Sequence, residues 1–182
     1  MTNSLRPLRR IVTGHNAEGK SVIIEDGPPR DLRTMPQRPG YQVANMWVTT
    51  DTPADINQPD LSAEHKGVAP PKRGTVVRII DIPPEPEDPE ELERAVGAVF
   101  AAHFNDAQRE VGGEKPKHPG MHRTDTVDYA ILIEGELVAI MDEGETVMRP
   151  GDVLIQRGTN HAWSNRSGKM CRIAFILVDA QA

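Results

Sequence analysis

Two stretches of this 182-residue chain carry side chains whose types and spacing could do chemistry together. The first runs from Gly120 through His122, Thr124 and Asp128 to Gly135. Side chains alternate between the two faces of a strand, so His122, Thr124, Thr126, Asp128, Ala130 and Leu132 share one face. Val127, Tyr129, Ile131 and Ile133 take the other. An imidazole and a carboxylate on the same face of an otherwise apolar strand need a reason, because a charge on a buried face must be paired or bound to a metal. In the second stretch, Pro150-Gly151-Asp152 opens a short apolar strand. Gly158 then turns the chain back into a strand that begins at His161, with Trp163 and Asn165 on the same parity. A histidine titrating near neutrality beside a carboxylate is also the equipment of a general acid and base.

The elements that must position these residues read as follows. Leu8–Thr13 and Ser21–Ile24 are short strands about a polar turn, and Val43–Thr50 and Thr75–Ile80 are two more. Gly27–Gly40 holds four prolines and no periodicity and is expected to be loop, as is Asp51–Arg73. Asp81–Glu93 has seven acids, no base and four prolines, and reads as a solvated entry to a helix over Pro89–Glu110. Asp88 is placed to cap that helix, Pro89 suits its first position, and Gly112-Gly113 would stop it. Leu92, Val96, Val99, Phe100 and Phe104 form its apolar stripe, and His103 beside them reads as a packing residue. After Pro119 only Pro150 remains of sixteen prolines, and glycine turns separate six strand candidates: Thr126–Glu134, Glu136–Met141, Thr146–Arg149, Asp152–Gln156, His161–Asn165 and Cys171–Val178. Short, evenly spaced strands with glycine turns indicate an all-β antiparallel sandwich or barrel.

These two stretches resemble the two signature motifs of the cupin superfamily, G-x5-H-x-H-x3,4-E-x6-G and G-x5-P-x-G-x2-H-x3-N. His122, Thr124, Asp128 and Gly135 keep the metre of the first, and Gly158, His161 and Asn165 that of the second. The resemblance covers about Gly120–Val178 and implies a cupin β-barrel (a jelly roll, or double-stranded β-helix). N-terminal strands over 1–80 and a helical insertion over 81–113 would decorate a motif core over 114–182 in one domain. Cupin metal sites use three histidines and a glutamate. Here Thr124 stands at the second histidine and Asp128 at the glutamate, while the first glycine and the second motif's proline are missing. What carries over is His122, Asp128 and His161, a two-histidine, one-carboxylate set for a divalent iron, manganese, nickel or zinc ion. His118 is the one substitute for the missing histidine, although Pro119-Gly120 bends the chain between it and His122. Thr124, Gln156 and Trp163 are the candidate ligand-contacting residues.

The resemblance implies a small-molecule enzyme, with metal-dependent oxidoreductase or dioxygenase-like chemistry on an aromatic or polyketide-type substrate. Two readings compete with it. One is a metal-free binding module; the other is metal-free acid–base catalysis of the lyase, dehydratase or isomerase kind. Composition narrows the rest. One cysteine excludes a disulfide framework or cysteine-cluster zinc module, and Cys171 reads as a small hydrophobe. A formal charge of −6 without a basic stripe argues against nucleic acid. With neither a leader-like apolar stretch nor a span-length one, the expected setting is the cytoplasm, away from membranes. Gly14–Ser21 matches the phosphate-loop pattern G-x-x-x-x-G-K-[ST], but the Val-Ile-Ile and Gly-Pro-Pro that follow make a strand and a turn rather than the helix that pattern needs, so nucleotide binding is rejected. Arg123 and Asp125 are expected to form a surface pair. Met46 and Trp47 are expected in the core or an interface, and bare N-terminal strands suggest a homodimer.

Overall fold

The computed structural model describes residues 5–109 and 116–181. Eleven strands and one helix are present among them: β1 Arg10–His15, β2 Ser21–Gly27, β3 Asp31–Thr34, β4 Gln42–Thr49, β5 Thr75–Ile82, α1 Pro89–His103, β6 Thr126–Glu134, β7 Leu137–Met141, β8 Glu145–Met148, β9 Val153–Arg157, β10 His161–Ser164 and β11 Cys171–Asp179. A six-stranded antiparallel sheet runs β3-β4-β5-β11-β6-β9, and a three-stranded sheet runs β10-β7-β8. Their inward faces share one core, in which Val43, Val76, Leu132 and Ile173 meet Leu137, Ala139 and Met148. The sheets are joined at one corner by a backbone pair between His122 and His161, each N–H donating to the other's carbonyl at 2.9 Å. The result is the all-β barrel with one helix that the strand spacing implies.

The alternation read from the sequence holds along β6. Thr124, Thr126, Asp128, Ala130 and Leu132 are buried, whereas Tyr129 and Ile133 face outward and are exposed. Val153 and Ile155 of β9 are exposed beside them, leaving an apolar outer face. The β6–β7 turn requires a glycine at 135, whose φ is +82° and where a Cβ would lie 2.6 Å from the Met170 carbonyl oxygen. The phosphate-loop look-alike is a hairpin turn. The Asn16 side chain accepts from the amides of Glu18 and Lys20, and Gly19 takes φ +74°.

Four expectations are corrected. Gly27–Gly40 is not all loop, because its Asp31–Thr34 segment forms the edge strand β3 against β4. Prolines flank that strand on both sides, but none falls within its four residues, and an edge strand needs partners on one side only. The helix keeps its Asp88 cap and Pro89 start but ends at His103, not Glu110. Asp106 must leave the helix to accept from the amides of Val68 and Ala69, and Gln108 pairs as extended chain with Arg123. Gly112-Gly113 lies outside the described residues. Arg123 and Asp125 are not paired with each other; each bonds Gln108 instead.

The acidic segment is the fourth correction, since it is not uniformly solvated. Asp81 is buried and receives two hydrogen bonds from Arg172, at 2.6 and 2.7 Å, and another from Gln42. These three residues sit on neighbouring strands β11, β5 and β4 in register, so one ion pair pins the middle of the sheet. Removing one partner leaves the other charge buried and unanswered. Arg172→Ala is therefore expected to lower the unfolding free energy by about 3–5 kcal/mol, read from urea denaturation. A loss under 1 kcal/mol would show that the pair does not hold the sheet.

Candidate active site

Between the sheets lies a cavity of about 100 Å³. Its walls come from three parts of the chain. The motif strands contribute His122, Thr124, Asp128, His161 and Trp163. Helix α1 and the residue after it contribute Val96, Val99, Phe100 and Phe104. The N-terminal half contributes Arg38, Tyr41 and Arg78. Helix α1, strand β5 and the loop before β4 are thus walls of the site.

The histidines are set by the backbone. His122 Nδ1 lies 2.8 Å from the Gly120 carbonyl and His161 Nδ1 lies 2.9 Å from that of Thr159. A carbonyl only accepts, so each Nδ1 carries the proton and each Nε2 keeps a lone pair. The two rings are 4.4 Å apart between centroids. Burial, and then the neighbouring His122, push the His161 pKa down to about 3, and burial lowers that of His122. Both are neutral bases at pH 7. Phe100 meets the edge of His122, and Trp163 packs against His161 and Phe175.

Asp128 is only 4% exposed, and its Oδ1 has no hydrogen-bond partner. Burial raises its pKa to about 6, against the hydrogen bond from Thr126 and the positive charge of Arg78. Thr124 and Thr126 bond each other through their hydroxyls at 2.6 Å. Gln156 is outside the cavity lining, and its amide donates to the Thr159 carbonyl at 2.7 Å. Asn165 is fully buried and holds the turn after β10 through Ile82 and Lys169 carbonyls.

Residues 107–178 match the Cupin domain family. The phomopsin biosynthesis cluster protein C' of Diaporthe leptostromiformis is 31% identical over 97% of this chain and 81% of its own length. The cupin-domain-containing oxidoreductase srdD of Neurospora crassa is 31% identical over 97% of this chain and 78% of its own. The cupin-domain-containing oxidoreductase virC of Hypocrea virens is 32% identical over the same shares. The chain belongs to the cupin family.

A cupin is expected to gather its metal ligands on the inner face of the barrel, and this one gathers only part of a set. Among the described residues no three His, Cys, Asp or Glu side chains cluster closely enough to hold a metal ion. His122 and His161 stand together, but Thr124 replaces an imidazole and spends its hydroxyl on Thr126. Asp128 is one methylene shorter than the glutamate of the motif. His118 lines the cavity yet cannot substitute, since its Nδ1 accepts from the Gly120 amide at 3.0 Å and its Nε2 lies 3.0 Å from Glu85. The residues present do not fit a three-ligand metal centre.

Sequence reasoning missed Arg38, Tyr41 and Arg78. Arg78 was findable: it sits in Val-Val-Arg-Ile-Ile on the inward parity with Val76 and Ile80, the same anomaly that marks Asp128.

Because the native Asp128 pKa is raised, the folded state prefers its protonated form. That preference stabilises the fold below about pH 4 and is lost as the pH rises through about 6. Asp128→Asn removes the buried charge while keeping the shape. The variant is expected to match the wild type near pH 4 and exceed it at pH 8 by on the order of 2–3 kcal/mol, at about 1.4 kcal/mol per tenfold change in proton affinity. Denaturation at both pH values checks this.

Proposed function

We propose that this cupin is an enzyme of small-molecule metabolism that moves protons on a compact, ring-bearing substrate held in the barrel cavity. The observation that carries the reading is the set of groups meeting there. Two backbone-anchored neutral imidazoles offer Nε2 lone pairs, and burial raises the pKa of a carboxyl with one unpartnered oxygen to about 6. Aromatic and aliphatic walls surround them. Groups whose environments separate their proton affinities in this way can divide the work of base and acid. His122 and His161, both lowered by burial, stay unprotonated at pH 7 and can accept; Asp128 in its protonated form can donate to an oxygen. His122 holds His161 in place from one side and Trp163 from the other. The substrate class follows the biosynthesis-cluster names of the relatives and the Phe100, Phe104 and Trp163 lining.

The competing reading is metal-dependent oxidation, favoured by the oxidoreductase names of srdD and virC. Exchange of the benzylic protons of phenylpyruvate in D2O separates the two. Proton transfer predicts exchange above the buffer rate that survives chelation and falls roughly 10²-fold or more in His161→Ala and Asp128→Asn. Exchange lost on chelation and restored by iron or manganese would assign the chemistry to a metal instead. Exchange no faster than in buffer would remove the proton-transfer reading.

A further inference from the structure

Two arginines, Arg38 and Arg78, line the cavity without an ion pair among the described residues. Arg78 is 1% exposed, yet its guanidinium bonds only neutral acceptors: the Asn45 side-chain oxygen at 2.9 Å and the carbonyls of Gly67 and Val68 at 2.7 and 3.4 Å. It also lies over the Phe104 ring, 5.1 Å from the centroid. Among the described residues no carboxylate forms an ion pair with it; Asp106 and Asp31 act on it only through space. Arg38 is more exceptional. Among the described residues its guanidinium makes no hydrogen bond and no ion pair; its Nε is buried, and its one contact of this kind is with the Tyr41 ring, 5.4 Å away. Glu85 acts on it only through space, because both Glu85 oxygens are occupied, by His118 at 3.0 Å and Ser164 at 2.6 Å. The Tyr41 ring is buried under Arg38, and its hydroxyl makes no hydrogen bond among the described residues.

A guanidinium stays protonated at every physiological pH, so burying that of Arg78, and the Nε of Arg38, without an ion-paired carboxylate is costly. Elsewhere in this chain the cost is met within the protein. Arg172 has Asp81, and Arg10 has Asp60 and Glu25. At the cavity the lining carboxylate, Asp128, feels the charge of Arg78 but forms no ion pair with either guanidinium among the described residues, and the unspent Arg38 donors line the wall.

We propose that the cavity takes a small organic acid whose carboxylate is held by Arg38 and Tyr41 in the positive field of Arg78, with its apolar body against the aromatic wall. This names the substrate class for the proton-transfer site above and rests on that reading. The donors come from the N-terminal half of the chain and the proton-transfer groups from the motif strands. A molecule anchored by its acid group on the first therefore presents its body to the second.

Calorimetry on the full chain tests it with benzoate, benzamide and inorganic phosphate. Benzoate is expected to bind at least about 10-fold more tightly than its neutral isostere benzamide, and more tightly than phosphate, which has no apolar body to bury. Arg38→Met is expected to remove about 10- to 100-fold of the benzoate affinity and leave that for benzamide unchanged, as loss of a charge-assisted hydrogen bond does. Tyr41→Phe, which keeps the ring, should lose less. Equal binding of benzoate and benzamide by the wild type, or phosphate binding as tightly as benzoate, overturns the proposal without requiring any variant to fold. Benzoate has no exchangeable C–H. Charge-selective binding without phenylpyruvate exchange therefore leaves the anion site standing and removes the proton-transfer reading. Exchange without charge selectivity does the reverse.

Discussion

Arg78 places a permanent charge in the middle of an apolar strand, and much of the barrel is arranged around it. Its partners are backbone carbonyls of the Gly67-Val68 loop and the amide of Asn45, which itself donates to Asp31 and to the carbonyls of Ser62 and His65. One side chain thus ties β5 to β4, to the edge strand β3 and to the long irregular segment before β5. The same charge pulls the Asp128 proton affinity down against the stronger upward push of burial. It contributes to the positive field of the cavity, where among the described residues no carboxylate forms an ion pair with it. Fold, electrostatics and ligand chemistry meet at this residue.

The rule governing the site is that a buried charge must be answered. Where the chain answers it, as at Asp81–Arg172, the pair holds strands in register and does nothing else. Where the chain leaves it open, as at Asp128 and Arg38, the unanswered atoms line a cavity. Helix α1 shows the same economy. Its buried face packs into the core through Val99, while Val96 and Phe100 close the cavity. It ends where Asp106 is needed by the Val68 and Ala69 amides, next to the loop that holds Arg78.

Much of this was legible in the sequence where the physics is local. Period-two alternation placed His122, Thr124 and Asp128 on one inward face, and glycine punctuation separated the strands from β6 to β11. The Val-Ile-Ile and Gly-Pro-Pro after Ser21 exposed the phosphate-loop pattern as a hairpin. What could not be read was tertiary. Arg38 lies in a proline-rich stretch without periodicity, and only the packed barrel brings it beside Tyr41. The helix end depends on Asp106 meeting a loop some 40 residues earlier in the chain. Gln156 shares its strand's inward parity with a cavity residue's neighbour, but the Thr159 carbonyl claims its amide. The spacing of the metal motif survived while the ligand set did not, because metre belongs to the strands and turns, whereas ligation depends on which atoms the side chains carry.

Protonation states in the cavity decide the account. Nuclear magnetic resonance titration of chelator-treated protein, following the imidazole nitrogens of His122 and His161 and the side-chain carboxyl carbon of Asp128, measures them directly. Both histidines should be neutral Nδ1–H tautomers at pH 7, with His161 unprotonated well below pH 5 and Asp128 titrating near 6. Imidazolium signals from either ring near pH 6.5, or an Asp128 carboxyl that titrates near 4, would contradict a cavity built for proton transfer.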